Sequence, residues 1–332
     1  MNDHNHTPRR TCHGAVAALL AAAAGGAAAQ AAPTVELFGL ADLWVGRNQA
    51  PGAKATVAVD SGKMTTSHLG FRGGEDLGGG LRAVYAIESF LRHDSGGAGR
   101  FDGDAFWARN AYVGLSGGFG QVTLGRNTTA LFVQTLVYNA FGDSFGFSPA
   151  IRHYFTSGTV TGDTGWNNSL RYASPKLGDL TLTAMVAAGE GDGGRNTGLS
   201  AGWSRGAYGA GLAWQKVERG ATVNDTTTWQ LAGAAGVGDA RLTAQFGRVD
   251  DDTAGTQADI LGLGVAYTVG TGRVLAQWGR IDRDAGADRR TFSVGYDHQL
   301  SKRTDVYVVA MRDRLEGVGS GTSAGIGIRH RF

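Results

Sequence analysis

Bulky apolar residues recur at every second position along most of this chain, in segments of about ten residues, the length of a tilted strand crossing a bilayer. Leu261, Leu263, Val265 and Tyr267 alternate with Gly262, Gly264, Ala266 and Thr268. Tyr208, Leu212 and Trp214 oppose Gly209, Gly211, Ala213 and Gln215, and Phe292, Val294 and Tyr296 oppose Thr291, Ser293, Gly295 and Asp297. Amphipathic helical spacing is nearly absent. After the N-terminal segment no run is long and apolar enough for a membrane-spanning helix. A soluble sandwich would also alternate, but here one face carries aliphatics and aromatics while the other carries Gly, Thr, Gln and charge. That is the pattern of a barrel with lipid outside and water inside.

The connections alternate as well. Asp76–Gly80, Gly117–Gly120, Ser174–Asp179, Gly238-Asp239, Thr271-Gly272 and Ser301-Lys302 read as tight turns. Gln49–Lys63, His93–Asp104, Glu218–Thr227 and Asp250–Thr256 read as longer polar loops. Short turns on one rim and long loops on the other fit an outer-membrane barrel. The first strands are expected at 34–46, 64–75, 80–92, 105–116, 120–127, 166–174, 179–189 and 197–205. The rest are expected at 207–217, 227–237, 240–250, 257–269, 273–282, 289–300, 303–314 and 322–332. The reading is all-β: a 16-stranded antiparallel transmembrane β-barrel, even-numbered as closure requires.

The longest stretch without alternation is 128–165, which carries Phe141-Gly142-Asp143-Ser144-Phe145-Gly146 and Arg152. A loop of this length inside a compact domain is usually functional or disordered. It is read as a segment folded inside the wall that the strands form.

The N-terminus reads as an export signal over residues 1–31, leaving 32–332 as the barrel. Arg9 and Arg10 precede an apolar core from Ala15 to Ala24, and Ala29-Gln30-Ala31 supplies the cleavage site, after Ala31 or after Ala29. A buried N-terminal helix is the alternative. Cys12 is the only cysteine and falls in that segment, so the mature chain would have neither a disulfide nor a cysteine metal site. The formal net charge of +2 gives no strong attraction to nucleic acid.

Several stretches resemble the general diffusion porins of Gram-negative bacteria, particularly the betaproteobacterial outer-membrane porins. They are Val35–Asp42, Leu69–Leu81, Arg109–Gly120 with Thr123–Arg126, Asn167–Tyr172 and the terminal Arg331-Phe332. The resemblance implies a homotrimer embedded in outer-membrane lipid and lipopolysaccharide, each 16-stranded barrel having its third long loop, residues 128–165, folded inward as a constriction. It also implies that Phe332, with Ala324, Ile326 and Ile328 on its face, is read by the barrel assembly machinery. Gly165-Trp166 stands where related sequences often carry a basic residue, and Arg152 is the candidate to take its place.

Strand parity nominates the groups that would set the field in the pore. With Leu69 and Phe71 toward lipid, His68 and Arg72 face the lumen. Leu81, Ala83, Tyr85 and Ile87 outward put Arg82 and Glu88 inside, and Leu170 and Tyr172 outward put Arg171 inside. An arginine facing lipid near the midplane would cost about 2–4 kcal/mol, which assigns Arg109 to the lumen. Arg126 shares a face with Val122 and Leu124 and is assigned to a subunit contact. Asp143 and Asp163 are the acidic candidates opposing the arginines across the constriction. Ordinary solvated lumen residues, paired locally, are the plainer reading of the same set.

Gly114–Gly118 and Gly321–Gly325 match G-x-S-x-G without a strand-to-helix elbow, and Gly189-x-Gly191-x-x-Gly194 has no helix after it. The histidines lack metal-ligand spacing: His4, His6 and His13 precede the cleavage site, while His68 and His330 read as wall residues. No cofactor is expected. The expected function is passive diffusion of small hydrophilic solutes and ions through a weakly anion-preferring, water-filled channel. A substrate-specific channel of the same architecture is the alternative, and a barrel-borne hydrolase lacks a catalytic constellation.

Overall fold

The computed structural model describes residues 33–190, 194–220 and 222–332. The expected export segment, with Cys12 and the early histidines, lies outside them, as does Gly191 of the glycine pattern.

The wall begins with β1 (Thr34–Asn48), β2 (Thr56–Ser61), β3 (His68–Gly78) and β4 (Leu81–Arg92). The two-residue β5 (Gly97–Ala98), β6 (Ala111–Gly117) and β7 (Gly120–Thr128) follow. Two short helices intervene, α1 (Ala130–Val137) and α2 (Pro149–Phe155). Then come β8 (Gly165–Ala173), β9 (Leu180–Ala187), β10 (Asn196–Arg205), β11 (Tyr208–Val217) and β12 (Thr226–Val237). The last six are β13 (Ala240–Asp251), β14 (Thr256–Val269), β15 (Gly272–Arg283), β16 (Arg289–Gln299), β17 (Thr304–Leu315) and β18 (Gly319–Arg331).

All pairings are antiparallel, and β18 returns to β1 in register from Leu40↔Arg331 to Arg47↔Ala324, which closes the sheet. β5 is a hairpin tip on β4, while β2 and β3 lie along the two halves of β1 and share one place in the wall. The barrel therefore has sixteen staves. Closure leaves no free edge, so every stave can satisfy its backbone within the bilayer.

Most expected strands fall within two residues of those observed; the last begins three residues early, at Gly319, and two others depart further. The stretch expected as one strand at 64–75 is broken, because residues 62–67 bend into the lumen. Gly62 has φ +72°, and the buried Asp42 takes the amides of Met64 and Thr65, each at 2.7 Å, in place of ladder partners. The strand expected at 105–116 begins only at Ala111. Before it, Asp104 accepts the Arg100 amide and side chain and turns the chain away from the ladder.

Outward faces follow the alternation. Leu212 is 51% exposed and Phe292 47%, an apolar belt suited to lipid. Inward faces of β9–β16 are covered by the segment between β7 and β8. Leu131 and Tyr154 pack with Ala213, Val249, Ile260 and Ile281, while Phe141 and Phe147 pack with Trp44, Met64, Leu275 and Tyr307. The expected third long loop thus lies against the inner wall. Glycine makes the room: a Cβ at Gly211 would come within 2.2 Å of Gln134, and one at Gly247 within 2.1 Å of the Tyr154 hydroxyl. Part of the abundance of glycine, 55 residues, serves this close approach.

Candidate pore constriction

The loop is fixed to the wall by polar contacts. Thr129 caps α1 and Ser148 caps α2, each accepting an amide with its hydroxyl. Gln230 Nε2 donates to Thr135 Oγ1 (3.0 Å) and Gln245 Oε1 (2.8 Å). His153 Nε2 meets Thr291 Oγ1 at 2.8 Å, and Arg152 donates to Asp313 Oδ2 at 3.0 Å. Asp313 also takes Arg289 and the Thr291 hydroxyl. Arg152 is therefore turned back into the wall by a buried carboxylate, not toward the lumen as a substitute for the basic residue missing at Gly165-Trp166.

The neck of the loop is a second ionic knot. Asp163 accepts Arg100 through both oxygens, at 2.7 and 3.0 Å, and also Arg126. Burial alone would raise the Asp163 pKa; the Arg100 and Arg126 guanidiniums outweigh it and hold the carboxyl below its ordinary range. Asp163 is thus spent on the neck, a correction to its assignment opposite the arginines. Arg126 gathers the Ala108 and Gly165 carbonyls and Asn167 around the same point.

Asp143 lies where the loop meets the inward bend of the wall. Its Oδ1 accepts the Thr65 hydroxyl at 3.0 Å, and the Thr65 oxygen in turn takes Arg329 Nη1 at 3.0 Å. Lys63 O takes the Gly146 amide (3.0 Å) and the Ser144 hydroxyl (2.7 Å), so residues 62–67 grip the loop. Sequence reasoning missed this grip. Gly62 and the polar run Thr65-Thr66-Ser67 were its only signal.

The staves β3–β8 carry no helix against them, and their lumen faces are basic. In the ladder Arg72 lies opposite Ala86 and Ala86 opposite Tyr112, while Arg171 lies opposite Thr123, two residues from the Gly125 that pairs with Tyr112. Arg72 is held by both oxygens of Glu36 (2.8 and 2.7 Å) and stacks on Phe38, with its guanidinium carbon 4.5 Å from the ring centroid. Arg109 is paired with Glu88, which also takes Asn110 Nδ2 at 3.2 Å. Arg82 faces Asp76 across the β3–β4 register at the short-turn rim, away from Tyr112. Arg171, between Thr123 and Met185, has no ion-pair partner among the described residues. Phe332 pairs its backbone with Gly39 at the end of β18, with its ring on the outward side where Ile326 and Ile328 are exposed. His330 bonds Thr304 there.

A closed barrel with an apolar belt, a polar lumen and an internal loop on one wall defines a channel-forming protein of the outer membrane. This chain belongs to the Gram-negative porin family, whose model matches residues 15–317. It is 30% identical to outer membrane porin protein 32 of Delftia acidovorans, covering 91% of this chain and 95% of that one. It is 28% identical to an outer membrane porin protein of Bordetella pertussis over the same shares. Among solved structures it superposes on the anion-selective porin from Comamonas acidovorans with a TM-score of 0.78 and 26% identity, covering 91% of this chain and all of that one. The protein is an outer-membrane porin, and its family consists of channels.

Proposed function

We propose that the pore passes small hydrophilic solutes by passive diffusion and prefers anions. The carrying observation is Arg171: a lumen-facing guanidinium with no carboxylate partner among the described residues, on β8 opposite Thr123 and near Tyr112 of β6. The nearby acids are already engaged, Glu36 by Arg72, Glu88 by Arg109 and Asp163 by Arg100 and Arg126. A narrow aqueous path with low-dielectric walls concentrates the field of such an uncompensated charge. The name of the Comamonas relative, an anion-selective porin, supports the same sign.

In this reading Arg72, Arg109 and Arg171 form the basic side of the constriction, residues 128–165 form the other, and Arg82 lies at the mouth. The chain works without catalysis and without a cofactor. It is exported with loss of residues 1–31, assembled through Phe332 by the barrel machinery, and functions as a homotrimer among lipid and lipopolysaccharide. The test is the zero-current potential of the purified protein in a planar bilayer under a potassium chloride gradient. A potential of the sign for chloride preference supports the proposal; one of the opposite sign overturns it.

A further inference from the structure

Helix α1 is amphipathic in the reverse of the usual sense. Leu131, Gln134, Thr135 and Tyr138 turn to the wall and are buried, and the two central members of that face are polar. They can be, because the wall offers glutamines: Gln230 takes up Thr135, and Gln245 donates to the Tyr138 carbonyl at 3.4 Å. The other face is Phe132, Val133, Leu136 and Val137, apolar at every position. Val133 is 37% exposed and Val137 47%. Since α1 lies inside the barrel against β9–β12, this exposure is to the lumen and not to lipid. Phe132 extends the surface by meeting Phe145 (ring centroids 5.8 Å apart) and Phe155 (5.1 Å). Water-facing helix surfaces are ordinarily polar, so a wholly apolar one directed into an aqueous channel calls for a solute that uses it.

The staves free of helix, β3–β8, bear Arg72, Tyr112 and Arg171. The lumen therefore has an apolar side and a cationic side. We infer that the channel favours organic anions with an apolar, carbocyclic body: the carboxylate engages Arg171 while the ring slides along Phe132, Val133 and Val137. Polyhydroxylated acids of the same size have no use for the apolar side, and inorganic anions use only the charge. This inference rests on the proposed anion preference for the cationic half and on the α1 surface for the other half.

The test compares cyclohexanecarboxylate with quinate, which share ring and charge and differ in the hydroxyl groups on the ring. Permeability ratios come from bi-ionic zero-current potentials in planar bilayers at pH 8, where both carboxylates are ionised. Wild type should favour cyclohexanecarboxylate by about threefold or more, from apolar area removed from water. The near-isosteric double variant V133T/V137T should bring the ratio close to one. Equal permeability of the two acids in wild type overturns the inference, as does a ratio unmoved by the double variant. The chloride-to-potassium ratio of the same preparations reports separately on the arginine reading. A preserved carbocycle preference without chloride preference would remove only the cationic half.

Discussion

The Tyr307 hydroxyl donates to Asp42 Oδ1 at 2.7 Å across 265 residues of chain. The other oxygen of Asp42 takes the amides of Met64 and Thr65, so one buried carboxylate joins the first stave, the seventeenth strand and the inward bend. Asp42→Ala leaves three donors unmet and is expected to cost about 2–4 kcal/mol of stability, with Asp42→Asn and Tyr307→Phe costing less. Thermal unfolding in detergent, followed by circular dichroism, ranks the three; equal midpoints for all would remove this carboxylate as an anchor.

His153 is buried on α2 with its Nδ1 unpartnered, facing Arg152, Arg283, Arg289 and Asp313. Burial first, and then the Arg289 charge, push its pKa down to about 3. The sign follows from proton counts. The unfolded imidazole, with a pKa of about 6.5, binds a proton that the folded one refuses, so stability is complete above that value. It is lost as pH falls toward 3, by about 1.4 kcal/mol per unit at most. His153→Gln should flatten the acid limb of the stability profile between those pH values, and an unchanged slope would sink the assignment.

Gly247→Ala places a methyl where the Tyr154 hydroxyl now sits, a contact of 2.1 Å that backbone on the other side, at 2.8 Å from Trp229 O, does not relieve. The expected cost is about 1–3 kcal/mol, with α2 displaced and single-channel conductance altered. Adding Tyr154→Phe removes the clashing oxygen, itself unsatisfied in its burial, and should recover part of the loss. Conductance and melting of the single and double variants decide the point.

Arg171→Gln and Arg72→Gln separate an unpaired from a paired guanidinium. The first removes an uncompensated charge and should lower the chloride-to-potassium permeability ratio by about two- to threefold. The second frees Glu36 to act as an anion at the same site, whereas Arg72→Gln with Glu36→Gln should restore the ratio nearly to the wild-type value. Reversal potentials in dilute salt, where screening is weakest, give the clearest reading.

Period-two alternation was enough to read the wall, because lipid on one side and water on the other make parity binding at nearly every stave. It placed Arg72, Arg82, Glu88 and Arg171 on the lumen side without reference to any contact. It failed where a single carboxylate, Asp42, outcompeted the ladder for the amides of Met64 and Thr65. Inside the loop parity has no meaning, and charge type alone could not separate Asp143, at the bend, from Asp163, at the neck. On the strands Tyr208 and Tyr267 face lipid. The aromatic cluster inside the barrel is Phe132 with Phe145 and Phe155, and reading it required knowing which side of a short helix meets a glutamine-bearing wall.

The contacts that seat the loop reach far along the chain. Arg152 meets Asp313 across 161 residues, and Ser148, on the same segment, stands 3.5 Å from Gln277. The bend that grips the loop waits for Tyr307 and Arg329 on the final strands. A barrel still missing its last staves would keep the loop's neck, where Asp163 meets Arg100 and Arg126, and its α1 contact with Gln230, but would lose the grip on α2 and the bend. The loop is fully seated only in a closed barrel, and a copy that failed to close would err toward a wider opening, not toward a block.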